Sequence, residues 1–206
     1  MKQLFLCSYF AGVKNLFKQY ASEKQLGKHV LFIPTAGNVE EYRGYIDEAL
    51  QIFADLGFQV EVLDISACDR ETAQAKIFQS KLLYVSGGNT FYLLQELKKK
   101  QLLSLIKEQI ADGMVYVSES AGAIITAKDI DYNKLMDDKS VAAELNDTGA
   151  LNEVDFYVLP HVGEEPFVES TQATLDTYSD QLNLLPLNNR QAVLVEGEEV
   201  KVLEDK

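Results

Sequence analysis

The segment V-S-E-S-A-G-A, from Val117 to Ala123, has the residue types of a nucleophile held at a sharp turn. A serine between a strand and a helix exposes its hydroxyl, and small neighbours such as Ala121 and Gly122 let the backbone bend tightly. The N–H groups that begin the helix face the same place, so the Ala121 N–H could stabilise an oxyanion. Position 118 is a serine, so the general G-x-S-x-G pattern is not met. Ser120 is therefore either a nucleophile or a helix N-cap.

A serine nucleophile needs a base, and the chain has only two histidines that could serve. His29 opens an apolar segment typical of a strand, so we expect it at the amino end of a sheet. His161 follows another such segment, so we expect it at the carboxyl ends of the strands, at the same edge as Ser120. The alternative for His161 is a partly exposed loop histidine. Because the two cysteines and two histidines lack metal-site spacing, we expect no metal and no cofactor.

A pair of glycines, Gly87 and Gly88, also lies between a predicted strand and a predicted helix. Glycines there let the backbone approach a ligand and turn N–H groups toward a negative charge. The Gly88 N–H is thus a candidate for a second oxyanion donor. The alternative is a plain turn in which Asn89 or Thr90 caps the next helix. A phosphate loop is disfavoured, since G-x-x-x-x-G-K-[ST] is absent.

The elements that must position these residues follow from hydrophobic periodicity. Apolar segments predict strands at Leu4–Ser8, His29–Pro34, Phe58–Ile65, Lys81–Ser86, Met114–Val117 and Val154–Leu159. Helical spacing predicts helices at Val13–Tyr20, Glu40–Leu56, Arg70–Gln79, Thr90–Lys99, Leu102–Ala111 and Phe167–Tyr178, with a further one starting near Ala121. This alternation predicts an α/β fold: a three-layer, open, mainly parallel sheet with helices on both faces.

Two parts of the chain depart from the alternation. Asp129–Asn152 is polar and aperiodic, which predicts a long loop, and long loops in compact domains are often functional. Gln191–Leu203 predicts a C-terminal β-hairpin around Glu196 and Gly197. Neither repeats nor a linker interrupt the sequence, so we expect one domain spanning residues 1–206.

Composition limits which classes of partner and which cellular location are expected. The 206 residues carry a formal net charge of −13, which repels phosphate backbones and makes nucleic acid an unfavourable partner. No segment reaches the roughly 18 apolar residues of a membrane span. The apolar segment at the N-terminus is too short for a signal peptide, and Cys7 and Cys68 suit free thiols. We therefore expect a cytoplasmic protein without a membrane partner.

Three segments together resemble the peptidase E family of serine peptidases, the α-aspartyl dipeptidases, which also includes cyanophycinase. They are G-G-N-T-F-Y-L-L (Gly87–Leu94), E-S-A-G-A (Glu119–Ala123) and L-P-H (Leu159–His161), and their order and spacing match as well. The resemblance implies a fold similar to class I glutamine amidotransferases, whose elbow residue is a cysteine. A serine at position 120 favours the peptidase branch.

The resemblance also implies roles for individual residues. Ser120 would be the nucleophile and His161 the general base, with the N–H groups of Gly88 and Ala121 as the oxyanion hole. The family places a carboxylate in the loop between the serine and the histidine, where this chain offers Asp129, Asp131, Asp137 and Asp138. Spacing favours Asp138, or its neighbour Asp137, as the acid that orients the histidine. A serine–histidine pair without a third member is the alternative.

The expected substrate is a small peptide, but the sequence does not fix which substrate side chain the protein would accept. An aspartyl dipeptidase would need a basic group, and the segment after His161 (V-G-E-E-P-F-V-E-S-T-Q-A-T-L-D-T-Y) contains no lysine or arginine. A substrate carboxylate beside Glu164, Glu165 and Glu169 would be unfavourable without a cation. We therefore expect cleavage of dipeptides or short peptides without strict aspartyl specificity. Asn89 and Glu164 are candidate substrate contacts, and a glutamate could pair with the substrate amino terminus.

Two other functions remain open from the sequence. One is a catalytically silent binding or regulatory protein that keeps the pocket without the geometry between Ser120 and His161. The other is an esterase or amidase that acts on a non-peptide acyl group. The expected state is a monomer or a homodimer, because an exposed strand edge could pair with a second copy, or the terminal hairpin could cover it.

Overall fold

A computed structural model describes residues 1–206. Its strands are β1 (Gln3–Cys7), β2 (His29–Ile33), β3 (Gln59–Val62), β4 (Leu82–Val85), β5 (Val115–Glu119), β6 (Tyr157–Leu159), β7 (Leu184–Pro186), β8 (Gln191–Glu196) and β9 (Glu199–Glu204). Its α-helices are α1 (Lys14–Glu23), α2 (Gly44–Asp55), α3 (Arg70–Gln79), α4 (Thr90–Lys99), α5 (Leu103–Ala111), α6 (Ala121–Ile124) and α7 (Val168–Tyr178).

The main sheet has seven strands in the order β3-β2-β4-β5-β1-β8-β9. The five strands from β3 to β1 are parallel, whereas β8 runs antiparallel to β1 and β9 antiparallel to β8. The last two strands are the predicted C-terminal hairpin. The predicted α/β fold with a mainly parallel sheet is thus confirmed.

Each central strand contributes alternate residues to two separate cores, one on each face of the sheet. In β1, Leu4 and Leu6 enter one core while Phe5 and Cys7 enter the other. Helices α3, α4 and α5 cover the first core, and α1 and α2 cover the second. Burial on both faces explains why the strands are almost continuously apolar in sequence.

The strands β4, β5 and β1 are neighbours in the sheet and end at one edge. Their register pairs Val85 with Ser118 and Cys7 with Glu119. The segments that follow these strands therefore leave the sheet side by side. Carboxyl ends of parallel strands are where ligands bind in such sheets. The fold thus brings the residues after Cys7, Val85 and Glu119 to one place.

Most predicted elements are present with bounds shifted by a few residues, and the larger differences lie in the second half of the chain. The apolar segment 154–159 forms a strand only over Tyr157–Leu159, and it pairs with β7 in a separate two-stranded sheet. Strand β7 was not predicted, because it has only three residues and one of them is Pro186. The segment 129–152 contains two short 3₁₀ turns, Asp131–Leu135 and Lys139–Val141, rather than a plain loop. No helix combines the length and apolar character needed to cross a membrane.

Candidate active site

Ser120 occupies a strained turn between β5 and α6. Its φ of 45° and ψ of −111° lie in a region that non-glycine residues rarely adopt. The turn is held by the Ser120 N–H, which donates to the Cys7 carbonyl at 3.0 Å. A Cβ at position 122 would lie 2.4 Å from the Val85 carbonyl oxygen, so only glycine fits there. The Ser120 side chain makes no cap hydrogen bond to α6, which separates it from an ordinary N-cap serine.

His161 faces the serine hydroxyl from the segment after β6. Its Nε2 lies 3.1 Å from Ser120 Oγ, within hydrogen-bond distance. The ring stacks on Phe167, with 4.6 Å between ring centroids and 21° between planes. His161 also has a left-handed backbone, with φ of 62°. His29, by contrast, is exposed at the start of β2 and lies at the opposite end of the strands.

The other ring nitrogen, His161 Nδ1, is held by Asn189. The distance between Nδ1 and Asn189 Oδ1 is 2.7 Å. Ser8 Oγ completes a small network: it accepts from the His161 N–H at 2.8 Å and donates to Asn189 Oδ1 at 2.9 Å. An amide oxygen can only accept, so Nδ1 must carry the proton. The lone pair of Nε2 is then directed at the Ser120 hydroxyl.

The structure does not bring Asp138 or Asp137 to His161, which corrects the expectation from spacing. The Asp138 carboxylate is exposed and accepts from the Ser140 N–H at 2.8 Å, as the cap of a 3₁₀ turn. The Asp137 carboxylate accepts from the Thr90 N–H at 2.7 Å. Each acid is used by its own local turn or helix end, so neither is free to reach the histidine.

Burial keeps His161 in the neutral form. Loss of solvent lowers the pKa of the imidazole below its ordinary value of 6.5. The hydrogen bond to Asn189 and the charge of Glu164 act in the opposite direction but do not cancel that effect. A neutral imidazole at neutral pH can accept a proton, which is what a general base requires.

The turn formed by Gly87 and Gly88 packs directly against the serine. A Cβ on Gly87 would lie 3.2 Å from Ser120 Cβ. Gly88 has a φ of +126°, and a Cβ there would come within 2.3 Å of the Ala36 backbone. No protein group accepts a hydrogen bond from the Gly88 N–H. The turn that carries the free N–H of Gly88 thus packs against Ser120, directly after which α6 begins at Ala121, so both predicted oxyanion donors belong to segments that meet at the serine.

Glu119 supports this turn from behind. Its carboxylate accepts from the Phe10 N–H and from the Tyr84 hydroxyl, both at 2.8 Å, and also interacts with the Gly87 N–H. Burial raises the pKa of Glu119 to about 7, although these hydrogen bonds pull it down. The residue before the serine therefore ties together the segments that follow β1, β4 and β5.

Ser120 and His161 open into a cleft of about 700 Å³. Asn89 lines it, but its side chain is occupied: Oδ1 caps α4 through the Tyr92 N–H, and Nδ2 donates to the Asp138 carbonyl. Glu164 does not line the cleft, and its carboxylate accepts from the Asn189 N–H at 3.3 Å. The expected substrate contact of Glu164 is therefore not supported, and Glu165 is the glutamate of that segment that lines the cleft.

Comparison with known proteins assigns the chain to a family. The sequence profile of peptidase family S51 matches residues 6–203. The chain belongs to peptidase family S51. An uncharacterized peptidase of Pasteurella multocida is 47% identical over 198 residues, which are 96% of this chain and 95% of that protein. A peptidase E of Nostoc is 28% identical over 166 residues, which are 78% of this chain and 65% of that protein.

A solved structure agrees with the S51 assignment over the whole fold. The crystal structure of a Listeria monocytogenes protein, provisionally described as a peptidase E, superimposes with a TM-score of 0.95 at 41% identity. The match covers 100% of both chains. The resemblance to the peptidase E family is confirmed, and with it the α/β fold.

Three residues of the S51 site were missed by sequence reasoning: Ser8, Phe167 and Asn189. Ser8 had a usable signal, because it directly follows β1, and the rule for strand ends that selected Ser120 applies to it equally. Phe167 and Asn189 had none. They come from segments before α7 and before β8, and only the packing of those segments brings them to His161.

Proposed function

We propose that this chain is a serine peptidase that hydrolyses dipeptides or short peptides through Ser120 and His161. One observation carries the proposal: Ser120 Oγ lies 3.1 Å from His161 Nε2, at a strained turn open to a cleft. A nucleophile within hydrogen-bond reach of a base, which is itself held by a third group, is the arrangement needed for acyl transfer. Membership of a peptidase family agrees with this chemistry.

The first half of the reaction forms an acyl-enzyme. Ser120 Oγ attacks the peptide carbonyl carbon while its proton moves to His161 Nε2. The carbonyl oxygen becomes an oxyanion, and the N–H groups of Gly88 and Ala121 donate to it. The C–N bond then breaks, and the leaving amine takes the proton from Nε2. Asn189 holds Nδ1–H throughout and so keeps the ring in the orientation that faces the serine.

The second half reverses the roles with water. His161 Nε2 removes a proton from a water molecule, whose oxygen attacks the acyl carbon of the ester on Ser120. The second oxyanion uses the same two N–H groups. When it collapses, the serine oxygen leaves and takes back the proton from Nε2, which restores the free enzyme. The cycle consumes one water molecule and needs no cofactor.

The size of the cleft supports a short substrate. A volume of about 700 Å³ lies within the range of sites that enclose small ligands. The 3₁₀ turns of segment 129–152 and Phe167 form part of its lining, together with the segments that follow the strands. A dipeptide or short peptide fits such an enclosure better than a folded protein chain does.

The test is covalent labelling by a small fluorophosphonate, followed as a shift in intact mass. We expect one adduct on the wild-type protein and none on Ser120→Ala, because only a serine with a base beside it is reactive. His161→Ala should slow labelling by about 10²–10⁴, the usual contribution of a general base. Ser118→Ala is a matched control, because Ser118 is fully buried two positions away.

Peptide cleavage is measured alongside labelling. A panel of dipeptides should be hydrolysed by the wild type and by Ser118→Ala, and by neither Ser120→Ala nor His161→Ala. Labelling with no peptide cleavage would favour an esterase or amidase. An absence of both labelling and peptide cleavage would favour a silent binding protein and would overturn the proposal.

A further inference from the structure

The cleft beside Ser120 is acidic and lacks any cation of its own. Five of its lining residues carry carboxylates: Glu40, Glu119, Asp137, Asp138 and Glu165. None of the 22 lining residues is lysine or arginine. Every ion pair of the protein uses other acids, so none of these five is neutralised by a salt bridge. A substrate in the cleft therefore meets carboxyl groups that no lysine or arginine of the protein pairs with.

The charge is concentrated at the side of the cleft near the start of α4. Asp137 Oδ2 accepts from the Thr90 N–H at 2.7 Å and from Asn133 Nδ2 at 2.8 Å. Its second oxygen, Oδ1, accepts no hydrogen bond. Burial raises the pKa of Asp137 to about 6, and the nearby charge of Glu40 raises it further. Asp137 is half-buried and lines the cleft, so a carboxylate oxygen without a protein donor is available there to a cationic ligand.

Two neutral oxygens on the same wall also lack partners. Asn133 is fully buried and lines the cleft; its Nδ2 donates to Thr90 Oγ1 and Asp137 Oδ2, and its Oδ1 accepts no hydrogen bond. The Tyr45 hydroxyl, which also lines the cleft, has no partner either. Buried acceptors are normally satisfied, so an unpaired amide oxygen beside a carboxylate indicates a missing donor. Arg43 lies close enough to act on the Tyr45 hydroxyl through its charge, but it does not line the cleft and forms neither a hydrogen bond nor an ion pair with Glu40, Asn133 or Asp137.

We propose that Glu40, Asn133 and Asp137, here termed the acidic pole, bind a cationic group of the peptide substrate, an ammonium or a guanidinium. Such a group has several N–H donors, which can donate to Asp137 Oδ1 and Asn133 Oδ1. An acidic side chain in the same place would face like charges instead. The proposal rests on the proposed peptidase function and specifies the substrate: short peptides with a free amino terminus, a basic side chain, or both.

The experiment separates binding from cleavage. Binding is measured by calorimetry on Ser120→Ala, which cannot turn peptides over, with Lys-Ala, norleucyl-Ala, Asp-Ala and the N-acetylated forms of the first two. One charge-assisted contact should make Lys-Ala bind about tenfold or more tighter than N-acetyl-norleucyl-Ala. Tight binding of N-acetyl-Lys-Ala assigns the pole to the side chain. Tight binding of norleucyl-Ala assigns it to the amino terminus. Asp-Ala should bind less well than norleucyl-Ala.

Substitutions of single carboxylates test which residues cause the preference for cationic peptides. Glu40→Gln and Asp137→Asn, each in the Ser120→Ala background, should lower the ratio of the affinity for charged peptides to the affinity for uncharged peptides. Asp137→Asn disturbs a buried network, so Glu40→Gln, on an exposed residue, is the safer probe of the two. Glu41→Gln removes the same charge one position away, outside the cleft, and should leave the ratio as it is.

Each outcome bears on one proposal or the other. Equal affinities for Lys-Ala and N-acetyl-norleucyl-Ala, or no binding of any peptide, would overturn the acidic pole. Cleavage of neutral and charged peptides at equal kcat/KM, lost in Ser120→Ala, would also overturn it while leaving the peptidase function intact. Charge-dependent binding without wild-type cleavage would support the acidic pole and count against the peptidase.

Discussion

Asn189 is the residue on which the orientation of His161 depends. An amide in this position fixes the protonated ring nitrogen, as a carboxylate would, but adds no negative charge. The imidazolium formed during the reaction is therefore stabilised less than it would be beside an aspartate. This difference can be measured through the pH dependence of the reaction.

The wild-type profile of kcat/KM against pH should lose activity on acidification with a midpoint below 6.5, because burial lowers the pKa of His161. In Asn189→Asp the new carboxylate favours the charged imidazole, so the midpoint should rise by about 1 unit or more. Asn188→Asp is the matched control, because its side chain faces the Arg190 N–H rather than His161. Equal midpoints in the two variants would contradict the role of Asn189.

At the scale of single residues, the sequence predicted Ser120 and His161, which face each other, but not Asn189, which orients His161. Ser120 and His161 follow from the strand-end rule and from the scarcity of histidines. The acid was sought at Asp138 because linear spacing was the only guide, and a surface turn uses that carboxylate instead. Asn189 is separated from His161 by 28 positions, and no periodicity relates them.

The turn after β4 is the element that sets the oxyanion hole. Its position depends on contact between the Gly88 Cα and the backbone at Ala36 and Gly37, as well as on the Asn89 N–H, which donates to the Ala36 carbonyl at 2.9 Å. The turn after β2 therefore supports the turn after β4. A side chain at position 88 would separate the two turns and move the N–H away from Ser120.

Gly88→Ala should consequently lose both stability and activity. Alanine at this φ is strained by roughly 1–3 kcal/mol, and the Ala36 backbone cannot move aside easily. Displacing one oxyanion donor should lower kcat by about 10²–10³. Gly113→Ala provides the comparison, since Gly113 also has a positive φ of +97° but nothing within 4 Å of the added carbon. Urea unfolding and kcat of both variants are the measurements, and equal losses would contradict the contact with Ala36.

Elements with strong periodicity were predictable, and short ones were not. Strands β1, β2, β4 and β5 are buried on both faces, and burial of that kind leaves a continuous apolar signature. Strands β6 and β7 have three residues each, too few for a pattern, and they pair residues that are 27 positions apart, such as Tyr157 and Leu184. The element that carries His161 was thus located correctly along the chain but assigned to the wrong sheet.

Across the whole molecule, the buried Glu119 links stability to pH. Its native pKa of about 7 lies above the ordinary value of 4.5, so the folded protein binds more protons than the unfolded chain between those pH values. Stability must therefore fall as pH rises through this range. Asp137 acts in the same direction, since its pKa is raised to about 6.

Comparison with Glu119→Gln isolates the Glu119 contribution, because Asp137 is common to both proteins. Between pH 5 and pH 8 the wild type should lose up to about 3 kcal/mol of unfolding free energy relative to the variant. Urea unfolding at several pH values measures the difference. Glu41→Gln, an exposed glutamate, should run parallel to the wild type. A Glu119→Gln curve that also ran parallel would show that the carboxylate is ionised in the folded protein throughout.

The hydrogen bond between Ser8 and Asn189 joins positions 181 residues apart, and both side chains touch the same imidazole. During synthesis on the ribosome, β1 is made first of the nine strands and β8 is made eighth, so the pairing of β1 with β8 has to wait. Likewise, Ser120 is synthesised 69 residues before Asn189, which holds His161 in place. The growing polypeptide thus lacks a complete catalytic centre until Asn189 has been added.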